Sequence, residues 1–348
     1  VNLTLTSIRG IKVGHATEGK TGCTVVLLEP EAMVAMDARG GYPTTFDTDG
    51  IGIGKTYVKR HAVFLSGGDV FGLQAAAGVQ KYLLERGIAS GKIPLVVGAT
   101  IYDLNSQKAD YSSLAYTACS TASADEVQMG AVGVGAGAFS GRFAGINKAS
   151  KTGVASHSIK LPFGVKIASL AVTNCMGNIF DYKTGKIISG AKNDNNFIHF
   201  EDFIHHYIKE GSKKGNTTLA VVATDADLTH EELVKMASIA HNGLAMSIRP
   251  VHTSDDGDTV FAVSTAFKKV VRSLREAINL NSFSDEIHGL PSIEKFIASM
   301  GSLTISRVGA TRIYACGDRY LRNRPAQTGW KGSSMVVEAG SSKASAEE

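Results

Sequence analysis

The residues best equipped for chemistry stand at two points of the chain. Gly215-Asn216-Thr217-Thr218 runs straight into Leu219-Ala220-Val221-Val222-Ala223-Thr224, and His252-Thr253-Ser254-Asp255-Asp256-Gly257-Asp258-Thr259 runs into Val260–Ser264. At the first point a polar run from Glu210 to Gly215 stops abruptly at apolar residues that read as a buried strand. A threonine hydroxyl therefore stands at a strand's first position, behind a loop that can be cut. Two readings are open. Such a segment is commonly no more than a strand start. If instead the Asn216–Thr217 bond is strained, the Thr217 hydroxyl can attack the carbonyl in front of it, move the acyl group from nitrogen to oxygen, and let water release a new N-terminus. That product carries nucleophile and base on one residue, because a free α-amine titrates near ~8 and takes the hydroxyl proton close to neutral pH. The Asn-Thr-Thr triplet also fits an N-glycosylation sequon, as does Asn2-Leu3-Thr4.

At the second point three carboxylates crowd before a strand. Like charges this close raise one carboxyl's pKa, which suits a hydrogen-bond network in a site. The late glutamate of a calcium loop is missing. Tyr102-Asp103, at the end of the strand pattern Pro94–Ala99, either faces a cleft or is an ordinary polar terminus. Gly54-Lys55-Thr56 invites a phosphate-loop reading, but Asp49 stands where the motif needs glycine and would repel phosphate. Gly133-Val134-Gly135-Ala136-Gly137-Ala138 fits G-x-G-x-x-A without the preceding strand of a dinucleotide site; its glycines instead suggest close backbone approach, either to a ligand, where they would leave room in a pocket wall, or between packed elements. His199, His205 and His206 have no acidic or cysteine partner at metal spacing and read as surface or packing residues. No cofactor or metal is expected.

The elements that would position these groups alternate in type. Strand patterns occur at Cys23–Leu28, Met33–Asp37, His61–Leu65, Pro94–Ala99, Val165–Thr173, Leu219–Thr224 and Val260–Ser264. A helix opens at Ser66-Gly67-Gly68-Asp69, with Leu73, Ala77, Leu83 and Leu84 on its apolar face and Gly87 as its stop. Another is expected over Ser112–Gln128. The capping box Thr229-His230-Glu231-Glu232 starts the clearest one, whose face is Leu233, Met236, Ala237, Ala240, Leu244, Ala245 and Ile248. Helices near Phe267–Leu280 and Ser292–Met300 and a strand near Thr311–Ala315 follow, before a polar Gly/Ser-rich tail.

With 348 residues, 43% apolar and 20% charged, the chain is long enough for a full core and is not a disordered sequence. A formal charge of +4 without a basic cluster interleaved with aromatics makes nucleic acid an unexpected partner. The four cysteines form no C-x-x-C and suit a reducing compartment. Val1–Thr4 shows no basic-then-apolar leader, and no apolar run reaches membrane-spanning length. The expectation is a soluble cytoplasmic protein without a membrane partner.

Taken in order, Asp37-Ala38-Arg39-Gly40-Gly41, Leu65-Ser66-Gly67-Gly68, Ile101-Tyr102-Asp103, Val132–Gly137, Val172-Thr173-Asn174, Gly215-Asn216-Thr217-Thr218 and Asp256-Gly257-Asp258-Thr259 resemble a known family from about Ile11 to Ser264. It is the L-aminopeptidase/D-esterase (DmpA-like) family of self-processing N-terminal-nucleophile hydrolases, which includes the aminohexanoate-oligomer (nylon oligomer) endohydrolases. The resemblance implies an α/β fold, a four-layer αββα sandwich of the DmpA/ornithine-acetyltransferase type. It also implies self-cleavage between Asn216 and Thr217, with residues 1–216 as an α chain, 217–316 as a β chain completing the same domain, and 317–348 as a C-terminal tail. By the same resemblance Thr217 is the nucleophile, Asn174 an oxyanion donor and Tyr102 a site hydroxyl, while Asp256 and Asp258 order the Thr217 amine and hydroxyl. Arg142 falls where nylon-oligomer relatives carry a lysine; it keeps the charge but cannot lose a proton near neutral pH. Phe143–Ser150 departs from the family pattern, and the match after Thr265 is loose.

Asn-Thr at the cut and His252-Thr253 before the aspartates resemble the nylon-oligomer branch more than the Gly-Ser aminopeptidase branch. The implied substrates are linear amides such as aminohexanoate oligomers or short peptides, and the implied assembly is a homo-oligomer, a tetramer of α/β heterodimers. The alternatives are an aminopeptidase or D-amino-acid esterase-amidase of the same family, an ornithine-acetyltransferase-like acyltransferase, and a binding module with an intact chain.

Overall fold

The computed structural model describes residues 2–88, 93–103, 109–161, 164–210 and 215–269. In chain order the first half comprises β1 (Ile11–Glu18), β2 (Thr21–Ala38), β3 (Thr45–Phe46), β4 (Lys59–Ser66), α1 (Ala75–Glu85), β5 (Val96–Thr100) and α2 (Tyr111–Ser120). Short strands β6 (Phe139–Ser140) and β7 (Ser150–Lys151) then lead to β8 (Val154–Lys160) and β9 (Lys166–Asn174). After these come β10 (Asn178–Phe180), β11 (Ile187–Ser189), β12 (Lys192–Asn193), β13 (Asn196–Phe197) and α3 (Phe200–Glu210). The last described elements are β14 (Thr217–Ala226), α4 (His230–Ser247), β15 (Ile248–Arg249) and β16 (Thr259–Lys268). None of the described helices is long and apolar enough to cross a membrane.

Nine strands form one sheet, in the order β3-β5-β4-β2-β16-β14-β9-β8 with β1 paired to β2 off this path. Strand alternation sorts their side chains into three cores. Val25, Leu27, Ala62 and Phe64 pack with Ala75, Val79, Leu83, Leu114 and Ala118 of α1 and α2. The next residues along the same strands, Val26, Leu28, Val63 and Leu65, share a second core with Leu170, Val172, Leu219, Val221, Phe261 and Val263. On the far face Ala220, Val222, Val260 and Ala262 pack with Leu233, Met236, Ala237, Ala240 and Leu244 of α4. The order is helices, strands, strands, helix: the four-layer αββα arrangement, with β2 running through two layers.

β2 is a single strand of 18 residues where the sequence reads as two. Its register against β4 slips between Leu27 and Ala32, and exposed Pro30 falls in that slip, where no ladder hydrogen bond is asked of it. α2 ends at Ser120 rather than near Gln128, because Ser123 exchanges backbone hydrogen bonds with Val13 (3.0 and 3.1 Å) and is drawn onto β1. In α1 the buried face is Ala75, Ala76, Gly78, Val79 and Leu83, so Ala77 and Leu84 point outward, contrary to expectation. Small residues set this face, and they weaken the apolar signal that periodicity depends on. The α4 capping box forms as expected, although Ala245 is exposed. Phe267 belongs to β16, not to a helix. The remaining expected helices, the strand near Thr311–Ala315, Cys316 and the tail 317–348 lie outside the described residues.

Candidate active site

β14 enters the sheet flanked on both sides, parallel to β16 and antiparallel to β9. Its first residue, Thr217, stands opposite Asn174, the last residue of β9. Both Asn216 and Thr217 are buried, and the Thr217 hydroxyl donates to the Asn216 carbonyl oxygen at 2.5 Å. The Gly257 N–H donates to the same oxygen at 2.9 Å. The carbonyl in front of Thr217 is thus polarised by a fixed backbone donor, with the hydroxyl already beside it. Rotation of that hydroxyl from the carbonyl oxygen toward its carbon would start an acyl shift through a five-membered ring, the negative charge growing on the oxygen that Gly257 holds. Upstream, Gly215 has φ +101°, and a Cβ there would lie 2.5 Å from the Tyr102 ring. The approach to Asn216 therefore needs glycine twice over, for its backbone angle and for the ring packed on it.

Arg142, Asn174 and Tyr102 meet beside this bond. Arg142 donates from Nε to Asn216 Oδ1 (3.1 Å) and from one terminal nitrogen to Asn174 Oδ1 (2.6 Å) and the Tyr102 carbonyl (3.2 Å). Phe143 anchors this turn, its ring packed 5.3 Å from Phe200 and 5.4 Å from Phe203 of α3. Burial pulls the Arg142 pKa down, yet a guanidinium stays charged in any ordinary site. Because Asn174 Oδ1 takes Arg142 and the Phe139 N–H, its Nδ2 points the other way and donates to the Tyr102 carbonyl at 2.9 Å. Among the described residues one amide hydrogen of Asn174 is left over. Tyr102 offers its carbonyl to Arg142 and Asn174 and the face of its ring to Gly215.

The two aspartates lie on the opposite side and are buried. Asp256 Oδ2 accepts from the Thr253 N–H (2.8 Å) and hydroxyl (2.6 Å). Asp258 Oδ1 accepts from the Thr218 N–H at 2.6 Å, and its Oδ2 accepts from the His252 N–H (3.1 Å) and Nδ1 (2.8 Å). Of these contacts only that of Asp258 with Thr218 reaches a chain neighbour of Thr217, and none reaches its hydroxyl. The loop is pressed against Gly40 and Gly41, where a Cβ would stand 2.4 Å from the Asp256 carbonyl and 2.6 Å from that of Ser254. That close approach accounts for the Gly-Gly pair after β2.

Burial first, and then the neighbouring Asp258, push the Asp256 pKa up to about 7. In the unfolded chain it titrates near 3.8. The folded chain therefore holds a proton there that the unfolded chain releases, and Asp256 opposes folding increasingly as pH rises from about 4 to about 7. Thermal melts across that window should find wild type losing stability relative to Asp256→Asn, by on the order of 5 °C between the two ends. His15 and His241, which burial pulls down to about 4, titrate in both proteins and cancel in the comparison. Parallel pH profiles would overturn the assignment.

The sequence reading assigns no site role to three contributors: the Gly257 N–H, Thr253 and His252. A backbone donor carries no residue signature, whereas His252-Thr253 beside the aspartates is a visible one. The Gly133–Gly137 turn is buried against neighbouring backbone. A Cβ at Gly135 would meet the Val154 nitrogen at 2.6 Å, and one at Gly137 would meet Asp103 at 2.3 Å. Of the two readings open from the sequence, these glycines follow the one of close approach between packed elements, and the space that a missing Cβ would leave at Gly135 and Gly137 is filled. Lys55 pairs with Asp49 at 2.9 Å. His199 and His205 are exposed.

A model of Peptidase family S58 matches residues 4–294 of the chain. An uncharacterized aminopeptidase of Mycobacterium tuberculosis is 38% identical over 289 residues, covering 75% of this chain and 81% of the relative. A 6-aminohexanoate-oligomer endohydrolase of Paenarthrobacter ureafaciens is 31% identical over 272 residues, covering 74% and 73%. Among solved structures, the L-aminopeptidase D-Ala-esterase/amidase of Ochrobactrum anthropi superposes with a TM-score of 0.61 at 16% identity, over 88% of this chain and 85% of the other. Its structure is described as a variant of the Ntn-hydrolase fold, and the fold of the present chain is of that type.

Proposed function

The chain belongs to peptidase family S58 and is a hydrolase of amide bonds, and from that premise we propose that it cuts itself between Asn216 and Thr217 and then uses Thr217 as an N-terminal nucleophile. The observation that carries this reading is the Thr217 hydroxyl lying 2.5 Å from the carbonyl oxygen in front of it while the Gly257 N–H holds the same oxygen. In processing, the Thr217 oxygen bonds to the Asn216 carbonyl carbon, the C–N bond breaks as the nitrogen takes a proton, and water cleaves the resulting ester. The products are residues 1–216, ending in a carboxylate, and a β chain of 217–316 with the tail 317–348. In turnover the free α-amine accepts the hydroxyl proton, Thr217 attacks a substrate amide, and the leaving amine departs with that proton. Water then releases the acyl group. Asn174 has an amide hydrogen to spare for the substrate oxyanion, and Arg142 fixes the orientation of Asn174. The assembly proposed is a tetramer of α/β heterodimers. Buried free Cys23, Cys119 and Cys175 suit a reducing cytoplasm.

The proposed substrates are linear amides of the aminohexanoate-oligomer kind, with short peptides slower. An enzyme that requires a free substrate N-terminus needs a carboxylate to receive the ammonium. Asp256 is engaged by Thr253, and Asp258 by Thr218 and His252. A second reading, aminopeptidase or esterase-amidase, draws on the 38% identity to the mycobacterial aminopeptidase. The processed enzyme, offered aminohexanoate oligomers and amino-acid p-nitroanilides at equal concentration, should show the higher kcat/KM on the oligomers. Preference for the anilides with no oligomer cleavage selects the second reading, and acyl transfer to an added amino acid in place of hydrolysis marks an acyltransferase.

A further inference from the structure

His252 is placed oddly for a histidine that merely fills space. Its φ is +55°, a left-handed backbone that a non-glycine residue adopts at a cost. From that position its backbone N–H and ring Nδ1 both grip one oxygen of Asp258, at 3.1 and 2.8 Å. The grip leaves Asp258 Oδ1 turned toward the start of β14, where it takes the Thr218 N–H at 2.6 Å.

The ring is itself held from behind. It packs edge-on to His241 of α4, centroids 4.8 Å apart, and His241 Nε2 donates to the Asp37 carbonyl of β2 at 3.0 Å. With its pKa pulled down to about 4, His241 is neutral with its hydrogen on Nε2. Asp37 accepts from Arg39 at 3.0 Å, and Arg39 reaches the Ser238 carbonyl and hydroxyl of α4 at 2.9 Å. Nδ1 of His241 and Nε2 of His252 find no hydrogen-bond partner among the described residues. Two buried ring nitrogens left dry are costly in a core, and they are more understandable where ring orientation is what matters.

We propose that His252 is the positioning residue of the nucleophile: by locking the Asp258 carboxylate against Thr218, it holds the Thr217 hydroxyl on the carbonyl that it attacks. This rests on the reading of Thr217 as nucleophile. Two substitutions in the full chain separate side chain from backbone. His252→Gly accepts the left-handed backbone but removes the ring donor, whereas His252→Asn tolerates that backbone and restores an N–H near the place of Nδ1.

The first readout uses a Thr217→Ala background, where cleavage and turnover are both removed. There His252→Gly should speed Thr218 amide exchange at least tenfold relative to Val222 on the same strand, and His252→Asn should return it to within about threefold. The second readout is the processing half-life with Thr217 present, at least tenfold longer for His252→Gly and largely recovered in His252→Asn, with kcat falling and KM little changed. An unchanged exchange ratio in His252→Gly, or an Asn variant no better than Gly, overturns the proposal. If Thr218 exchange responds as expected while the Thr217 chain neither cleaves nor turns over, the lock stands and the nucleophile assignment falls.

Discussion

Thr217→Ala should yield a single uncut chain after long incubation and no turnover of any amide, while wild type resolves into fragments 1–216 and 217–348 that separate only on a denaturing gel. The substitution removes the one atom placed 2.5 Å from the Asn216 carbonyl oxygen and leaves the strand intact, since β14 pairs on both sides through backbone groups. Loss of turnover should be at least about 10⁴-fold, as for removal of other covalent nucleophiles. Thr217→Ser keeps the hydroxyl and should restore cleavage, more slowly, because the β-branched side chain that limits rotamers at the strand start is gone. Mass analysis of the fragments fixes the bond. A Thr217→Ala chain that still cuts at 216, or a wild-type chain that stays whole while turning over substrate, overturns self-activation at this residue.

The legible parts of this molecule are those in which neighbours in sequence are neighbours in space. The step from polar loop to β14 at Thr217, the Thr229 capping box and the crowding of Asp256 and Asp258 all read directly, because each depends on residues within one short segment. The continuity of β2 does not, since Pro30 is punctuation in most strands and is tolerated here only at a slip in register. Arg142 meets Asn174 and Asn216 across 32 and 74 positions, and its aromatic anchor lies on α3, so no local pattern could announce the contact. The family resemblance pointed at Arg142 as a charge; the geometry adds that it orients Asn174. The glycines of residues 133–137 left two inferences open, room beside a ligand or close approach between packed elements, and the second holds for a simple reason. A missing Cβ opens space only if nothing else fills it, and here the backbone around Val154 and the Asp103 side chain do.

Gly257→Ala should slow processing by about 10²–10³, the usual cost of losing one oxyanion donor, although the change adds a single methyl. A Cβ at this position would stand 2.6 Å from the Tyr42 carbonyl oxygen and 3.0 Å from the Thr217 hydroxyl. The first contact is with backbone and cannot be relieved by a rotamer, so the loop from Thr253 to Asp258 must move away from Tyr42. That same loop carries the Gly257 N–H, whose 2.9 Å hydrogen bond to the Asn216 carbonyl is where charge collects as Thr217 attacks. Moving it also pulls on Asp256 and Asp258 on either side, so donor and nucleophile drift together. Fold and stability should suffer less than rate, because β14 and β16 keep their parallel pairing from Leu219 and Thr259 onward. The half-life of the uncut band measures the rate, and near-ultraviolet circular dichroism checks that the core is intact. A Gly257→Ala chain that cuts as fast as wild type would mean that the carbonyl oxygen is stabilised elsewhere, and the spare amide hydrogen of Asn174 would be the next group to remove.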